Sequence, residues 1–269
     1  MNALESLESP NFSPLLPLFN SDLLIDCLYN KNLANRVTTA IKGFMQANYV
    51  QRLRLTFSKN GPARYIGHLD LARTLERSLT RAHIPMAYTQ GFNRRPRLSF
   101  AAALPLGYTS EYELADIWLH EEMEAQAALE QMMERMAPGI TITAVEQASI
   151  TDPSMQSLTT SARYVITPFT GQEMADVAQR VEQILKEPSL LRERKSGKGE
   201  GKRYDLRPLI VDLTADYDRQ GDVILNMTLL LMSGKTGRAD EVLAALDLDP
   251  LAAHIHRTLI TLAKPEPRS

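Results

Sequence analysis

Cys27 is the only cysteine in 269 residues. No disulfide can form within the chain, so a reducing compartment, and hence a cytoplasmic location, is expected. There is no cysteine cluster for an iron–sulfur centre and no Cys/His spacing for zinc. The nearest approach is His254-x-His256, two rings on one face of a strand with no third ligand beside them; no metal site is expected. No apolar run approaches the roughly 20 residues that span a bilayer. The N-terminus lacks the basic segment and apolar core of a secretory signal. No nucleophile–base pair or paired-carboxylate site emerges, and the glycine-rich SGKGEGK lacks the spacing of a phosphate-binding P-loop. Net charge is only −2, so total charge points to no partner.

The distribution of charge is more informative than its sum. Residues 52–107 hold ten basic side chains and two acidic ones, Asp70 and Glu76, a local charge of +8. Arginine dominates, and Phe57, Tyr65, Tyr88, Phe92 and Phe100 are interleaved with it. Residues 111–146 are acidic, with Arg135 the only basic residue. A basic block followed by an acidic one gives a dipolar molecule with one anion-seeking face, or two solvated surfaces. Arginine with aromatics favours the first, because guanidinium groups bind phosphate and stack on rings.

The apolar periodicity sets the fold. Leu53, Leu55 and Phe57 alternate with Arg52, Arg54 and Thr56, a half-buried strand with a polar face. Leu71, Ala72, Leu75, Leu79 and Ala82 form the stripe of a helix over 69–82, with Arg73, Arg77 and Arg81 on its solvated side. Extended segments at 84–89 and 97–103, a strand at 112–119, a helix at 122–136 and a strand at 140–145 follow. This is the β-α-β-β-α-β order of a ferredoxin-like unit. The polar stretch 151–162 reads as a linker. A strand at 163–169, a helix at 172–186, strands at 190–195, 209–217 and 223–232, a helix at 239–246 and a strand at 254–262 repeat the scheme. The expected fold class is therefore α+β, two tandem ferredoxin-like domains with antiparallel sheets. Their bounds are 51–150 and 163–264, with a tail at 265–269. Residues 1–50 form an extension: either a helical arm, or the product of a misplaced start with translation beginning at Met45.

Two motifs carry the chemistry. In GPARYIGHLD, His68 falls at a helix start, where free N–H groups favour an anion, and Arg64 lies nearby. The competing reading has His68 and Asp70 capping the helix. Asp70 beside His68 is also the one candidate for acid/base work. In TQGFNRRPRLSF, Gly91 and Asn93 favour a bend and Pro96 biases Arg95 towards an extended shape. The segment is expected to project Gln90, Phe92, Asn93, Arg94, Arg95 and Arg97, with arginines for phosphate and Phe92 either stacked on a base or buried in the core. Lys198, Lys202 and Arg203 lie in a second basic loop, able to track a nucleic-acid backbone or simply exposed.

Together, GPARYIGHLDLARTLERSLTRAHIP and YTQGFNRRPRLSFAAALPLG resemble the radical SAM-linked (radical SAM-associated) domain family of unknown function. Its members are fused to cobalamin-binding radical SAM proteins or encoded beside them. The resemblance covers residues 51–262, with RYDLRPLI and RADEVLAAL as weaker signals. It implies a radical SAM partner that would supply the iron–sulfur cluster, S-adenosylmethionine and cobalamin, none of them bound by this chain. Family members are often encoded near ribonuclease E/G and ribosomal protein genes, which points towards RNA. The family supplies no established catalytic residues. The expected function is an accessory RNA-binding module presenting tRNA or rRNA to the radical SAM protein. The alternatives are a protein-interaction subunit without nucleic acid, and an RNA-modifying enzyme using His68 and Asp70.

Overall fold

The computed structural model describes residues 48–90, 92–169, 171–194 and 202–264. The expectations for the N-terminal extension, Gly91, Lys198 and the C-terminal tail lie outside these residues.

The first half runs β1 (Gln51–Lys59), a 3-10 turn (Gly61–Tyr65), α1 (His68–Arg81), β2 (Leu98–Phe100), β3 (Thr109–Leu119), α2 (Ala125–Met133) and β4 (Ile140–Ala148). β1 lies between β4 and β3, and β2 pairs with the other edge of β3. The alternation of β1 buries Leu53, Leu55 and Phe57. The four-residue repeat of α1 lays Leu71, Leu75 and Leu79 on the same core. Each such leucine contributes roughly 1.5–3 kcal/mol by leaving water. Glu124 caps α2 by accepting from Ala127 N at 2.7 Å, so the helix starts later than its acidic prefix suggests. Gly139 is required at its turn. It has φ +84°, and a Cβ there would lie 2.3 Å from the Asn60 carbonyl oxygen.

The second half runs α3 (Met155–Leu158), β5 (Thr159–Pro168), α4 (Met174–Lys186), β6 (Leu191–Arg194), β7 (Lys202–Asp205), β8 (Ile210–Tyr217), β9 (Val223–Met232), β10 (Lys235–Thr236), α5 (Ala239–Ala245) and β11 (Ala253–Leu262). β9 pairs with β8, β10 and β5, and β5 with β11. The stretch 151–162 is more ordered than a linker: it holds a helical turn and the first residues of β5. Ser154 caps that turn, and Met155 is buried in a small core with Ala101, Leu114 and Ile260. β7 was not expected from KRYD, which has no apolar alternation. It forms by pairing back on β6 in a separate two-stranded hairpin.

The two halves share one nine-stranded sheet. Every pairing within it is antiparallel except that of β11 with β3, which is parallel and consists of His256 opposite Thr109 and Arg257 opposite Ser110. Among the described residues the architecture is mixed α+β, with five helices and a largely antiparallel sheet. Each half has its own apolar core. The short parallel seam between them is lined by charge.

Candidate nucleic-acid interface and the polar seam

The second basic motif folds as a bent hairpin beside the end of β3. Met86 bridges Leu119 and Tyr88 bridges Pro96. Thr89 N donates to Arg95 O at 2.8 Å, and Arg97 N to Ala87 O at 2.7 Å. Gln90, Asn93, Arg94 and Arg95 are exposed at its tip. Phe92 is fully exposed, not in the core. Neither Arg94 nor Arg95 forms a salt bridge to a carboxylate among the described residues.

Arg97 parts from its neighbours. Its guanidinium packs over Tyr49 at 4.5 Å and over Trp118 at 4.9 Å, half-buried. It fastens the hairpin to β3 by cation–π contact and does not project with Arg94 and Arg95. Arg52 also departs from the solvated face expected of it. It is buried against Asp116 and donates to the carbonyls of Ser149, Asp152 and Pro153.

The first motif lies elsewhere. Trp118 and Thr109, at the two ends of β3, are about 30 Å apart at strand rise, and Arg64 belongs to the Thr109 end. Gly107 N donates to Arg64 O at 2.9 Å. His68 opens α1 behind the N-cap Gly67, which offers no capping side chain. Its ring meets Phe100 edge-on at 5.0 Å. Arg64 Nε and His68 Nδ1 are buried with no hydrogen-bond partner among the described residues. Asp70 is exposed and pairs with Arg73 at 3.4 Å across one turn, a surface pair of small energetic weight. His68 and Asp70 therefore do not sit together in an enclosed site. Gln90 and Phe92 do not converge with Arg64 and His68.

Beside the Arg64 end is a cluster that sequence reasoning missed. Thr109 Oγ1 lies 2.8 Å from His254 Nε2 and 2.7 Å from His256 Nδ1. One hydroxyl thus joins both rings of the His-x-His pair across the seam. His256 Nε2 is 3.9 Å from Glu111. Arg257 is fully buried, donates to Glu113 through Nε at 2.7 Å, and makes a second, shorter bond through Nη2. Lys59 is also fully buried and donates to Tyr108 O at 3.3 Å.

The electrostatics follow from burial and neighbours. Burial lowers the pKa of Lys59; Glu113 opposes the shift and Arg257 adds to it. His68 is lowered in the same way by the same groups. His254 is lowered by burial, then by Arg64 and His256. His256 is lowered by burial against the pull of Glu111 and Glu113. The sequence signals for this cluster were faint: a charged Arg257 inside an apolar strand, and two histidines on one strand face.

In the second half, Arg203 is exposed on β7, and the backbone of Lys202 lies in the same strand. Arg207 is occupied, donating to Leu185 O and Ile210 O. A cleft of about 390 Å³ between this hairpin and β10 is lined by Tyr204, Asp205, Leu209, Leu230, Lys235 and Thr236. Among the described residues, no three His, Cys, Asp or Glu side chains gather as metal ligands. No helix there is long and apolar enough to cross a membrane.

Fold and site together define a mixed α+β protein with an exposed arginine–aromatic hairpin and a charged seam inside one sheet. Residues 52–239 match the model of one family, so the chain belongs to the family described as "Uncharacterized protein conserved in bacteria (DUF2344)". No curated protein matches the chain. Among solved structures it is similar to a chain in the crystal structure of a Cbf5-Nop10-Gar1 complex, at 10% identity and a TM-score of 0.43, covering 79% of this chain and 50% of that one. It is also similar to a chain in the crystal structure of the archaeal box H/ACA sRNP Nop10-Cbf5 complex, at 8% identity and a TM-score of 0.31, covering 75% and 46%. The chain spans about half the length of these structural neighbours.

Proposed function

We propose that this protein is an accessory RNA-binding module that holds a single-stranded segment of tRNA or rRNA for a radical SAM partner. The observation that carries the RNA reading is the hairpin tip. Phe92 stands there beside Asn93, Arg94 and Arg95. An exposed ring with adjacent guanidinium groups suits an unstacked base and its flanking phosphates. The radical SAM partner rests on the resemblance of the two motifs. In this reading the partner contributes S-adenosylmethionine, the iron–sulfur cluster and cobalamin, and this chain contributes substrate. We read the strand orders β4-β1-β3-β2 and β11-β5-β9-β8 as two ferredoxin-like units fused edge to edge.

The test is binding of the purified chain to total tRNA and rRNA fragments across a salt series. Tight binding should weaken steeply as salt rises, because phosphate contacts release counterions. Arg94→Ala with Arg95→Ala should weaken binding and flatten the salt slope by about 2. Phe92→Ala should cost roughly 1–3 kcal/mol with the slope unchanged. No binding at low salt would defeat the reading.

A further inference from the structure

The charges buried at the seam do not balance. Lys59 and Arg257 are both fully buried and face one carboxylate, Glu113. Arg257 engages both Glu113 oxygens and also donates to Ala103 O at 3.3 Å. Among the described residues, Lys59 makes only the single long bond to Tyr108 O. Buried cations are stable when anions or acceptors complete them. Here one cation is in excess, and the partly exposed Arg64 is held nearby by the 2.9 Å bond from Gly107 N to its carbonyl, two residues before Thr109. Other carboxylates near the seam are engaged elsewhere: Asp70 is paired with Arg73, Glu111 lies beside His256, and the partly buried Asp240 is paired with Arg238 and accepts from Tyr108 Oη at 3.5 Å. Two nitrogens at this place, Arg64 Nε and His68 Nδ1, are buried without a partner among the described residues. The first N–H groups of α1, uncapped behind Gly67, open at the same point.

We propose that a phosphate group binds at this end of the seam, held by Arg64, His68 and His254. The donors come from both halves of the chain, Arg64 and His68 from the 3-10 turn and the start of α1, and His254 from β11. Thr109 sets the His254 ring through its 2.8 Å bond and is a positioning residue. A phosphate dianion would supply the negative charge that Glu113 alone does not. The site is independent of the Phe92 hairpin, at the other end of β3. The phosphate could be carried by RNA or by a small molecule.

The experiment titrates the full chain with inorganic phosphate and follows the imidazole resonances of all five histidines. Saturable shifts confined to the seam, largest for His68 and His254, with the pKa of both rising in the bound state, are expected. Arg64→Ala should weaken binding about tenfold or more, as loss of a charge-assisted hydrogen bond does. Arg64→Lys, which keeps the charge, covers the case in which the alanine variant does not fold and should bind more weakly than wild type. Thr109→Val should weaken binding with a smaller change at His68 than at His254. Shifts that fail to saturate, or that move His83 and His120 as much as His68 and His254, would overturn the site. So would binding unchanged in both Arg64 variants. A nucleoside monophosphate and RNA oligonucleotides with 5′-phosphate or 5′-hydroxyl ends then separate the sources. Preference for the mononucleotide assigns a small molecule; preference for the phosphorylated oligonucleotide assigns RNA. The outcome does not depend on the hairpin, which the Arg94/Arg95 variant tests separately.

Discussion

β3 carries two buried ion clusters, one on each face, and each has two cations to one carboxylate. Asp116 holds Arg52 and Arg54. Glu113, three residues earlier and so on the opposite face, holds Arg257 beside Lys59. Around Asp116 the protein completes the set itself. The carbonyls of Ser149, Asp152 and Pro153 take the remaining Arg52 donors, and Trp118 lies under the guanidinium at 5.2 Å. Around Glu113 it does not, because Lys59 has one carbonyl, at 3.3 Å, among the described residues. A buried cation that the chain satisfies is structural. One that it leaves short is where a ligand has energetic room to act.

The comparison is broken most forcefully at Glu113. Glu113→Gln leaves Lys59 and Arg257 buried without an anion, and should cost about 3–5 kcal/mol in urea unfolding. Asp116→Asn removes the same charge, but three carbonyls still hold Arg52, so the loss should be about 1–3 kcal/mol. Equal losses at the two positions would remove the distinction between a completed and an incomplete cluster. If phosphate occupies the seam, millimolar phosphate should stabilise wild type more than Arg64→Ala.

Acid offers a milder way to sharpen the same contrast. His68, His254 and His256 all have folded pKa values below 6.5, first because they are buried. The unfolded chain then binds more protons between those values and 6.5, so stability rises with pH there. Their contribution is fully present above about 6.5 and is lost as pH falls through the folded values. Below about 4.5 the lowered carboxylates of Glu124, Glu182 and Asp205 begin to matter separately. Thermal melts between pH 7.5 and 5 should therefore show falling Tm. His254→Gln with His256→Gln should flatten that fall, and a slope identical to wild type would mean these rings carry none of it.

Much of the fold was legible because it is written in local periods. Leu71, Leu75 and Leu79 announce α1, and Leu53, Leu55 and Phe57 announce β1, since each period places its apolar residues on one face. The bend of the hairpin was legible too, through Asn93 and Pro96. β2 shrank to three residues because Pro85 and Pro96 interrupt the segments around it; there only isolated bridges form. The seam was not legible. Glu113 meets Arg257 across 144 positions and Thr109 meets His254 across 145. No spacing rule reaches that far. Arg52 misled for a related reason: its position alternates as a solvent-facing one, and only the return of residues 149–153 over that face buries it.

The smallest effect on stability is expected where the effect on binding is largest. Phe92 touches no core, and Arg94 and Arg95 form no salt bridges among the described residues, so Phe92→Ser with Arg94→Ala and Arg95→Ala should change unfolding by less than about 0.5 kcal/mol. Arg97→Ala is the internal control. It sits three residues from Arg94 in the same basic run, yet it packs over Tyr49 and Trp118. Losing two cation–π contacts and the packing of its stem should destabilise the hairpin by about 1–2 kcal/mol. If the tip variant and Arg97→Ala melted alike, the division of this run into a binding tip and a structural anchor would fail. If only Arg97→Ala melts early while only the tip variant loses RNA, the basic run is two devices in sequence, one that fastens the hairpin to β3 and one that it holds out.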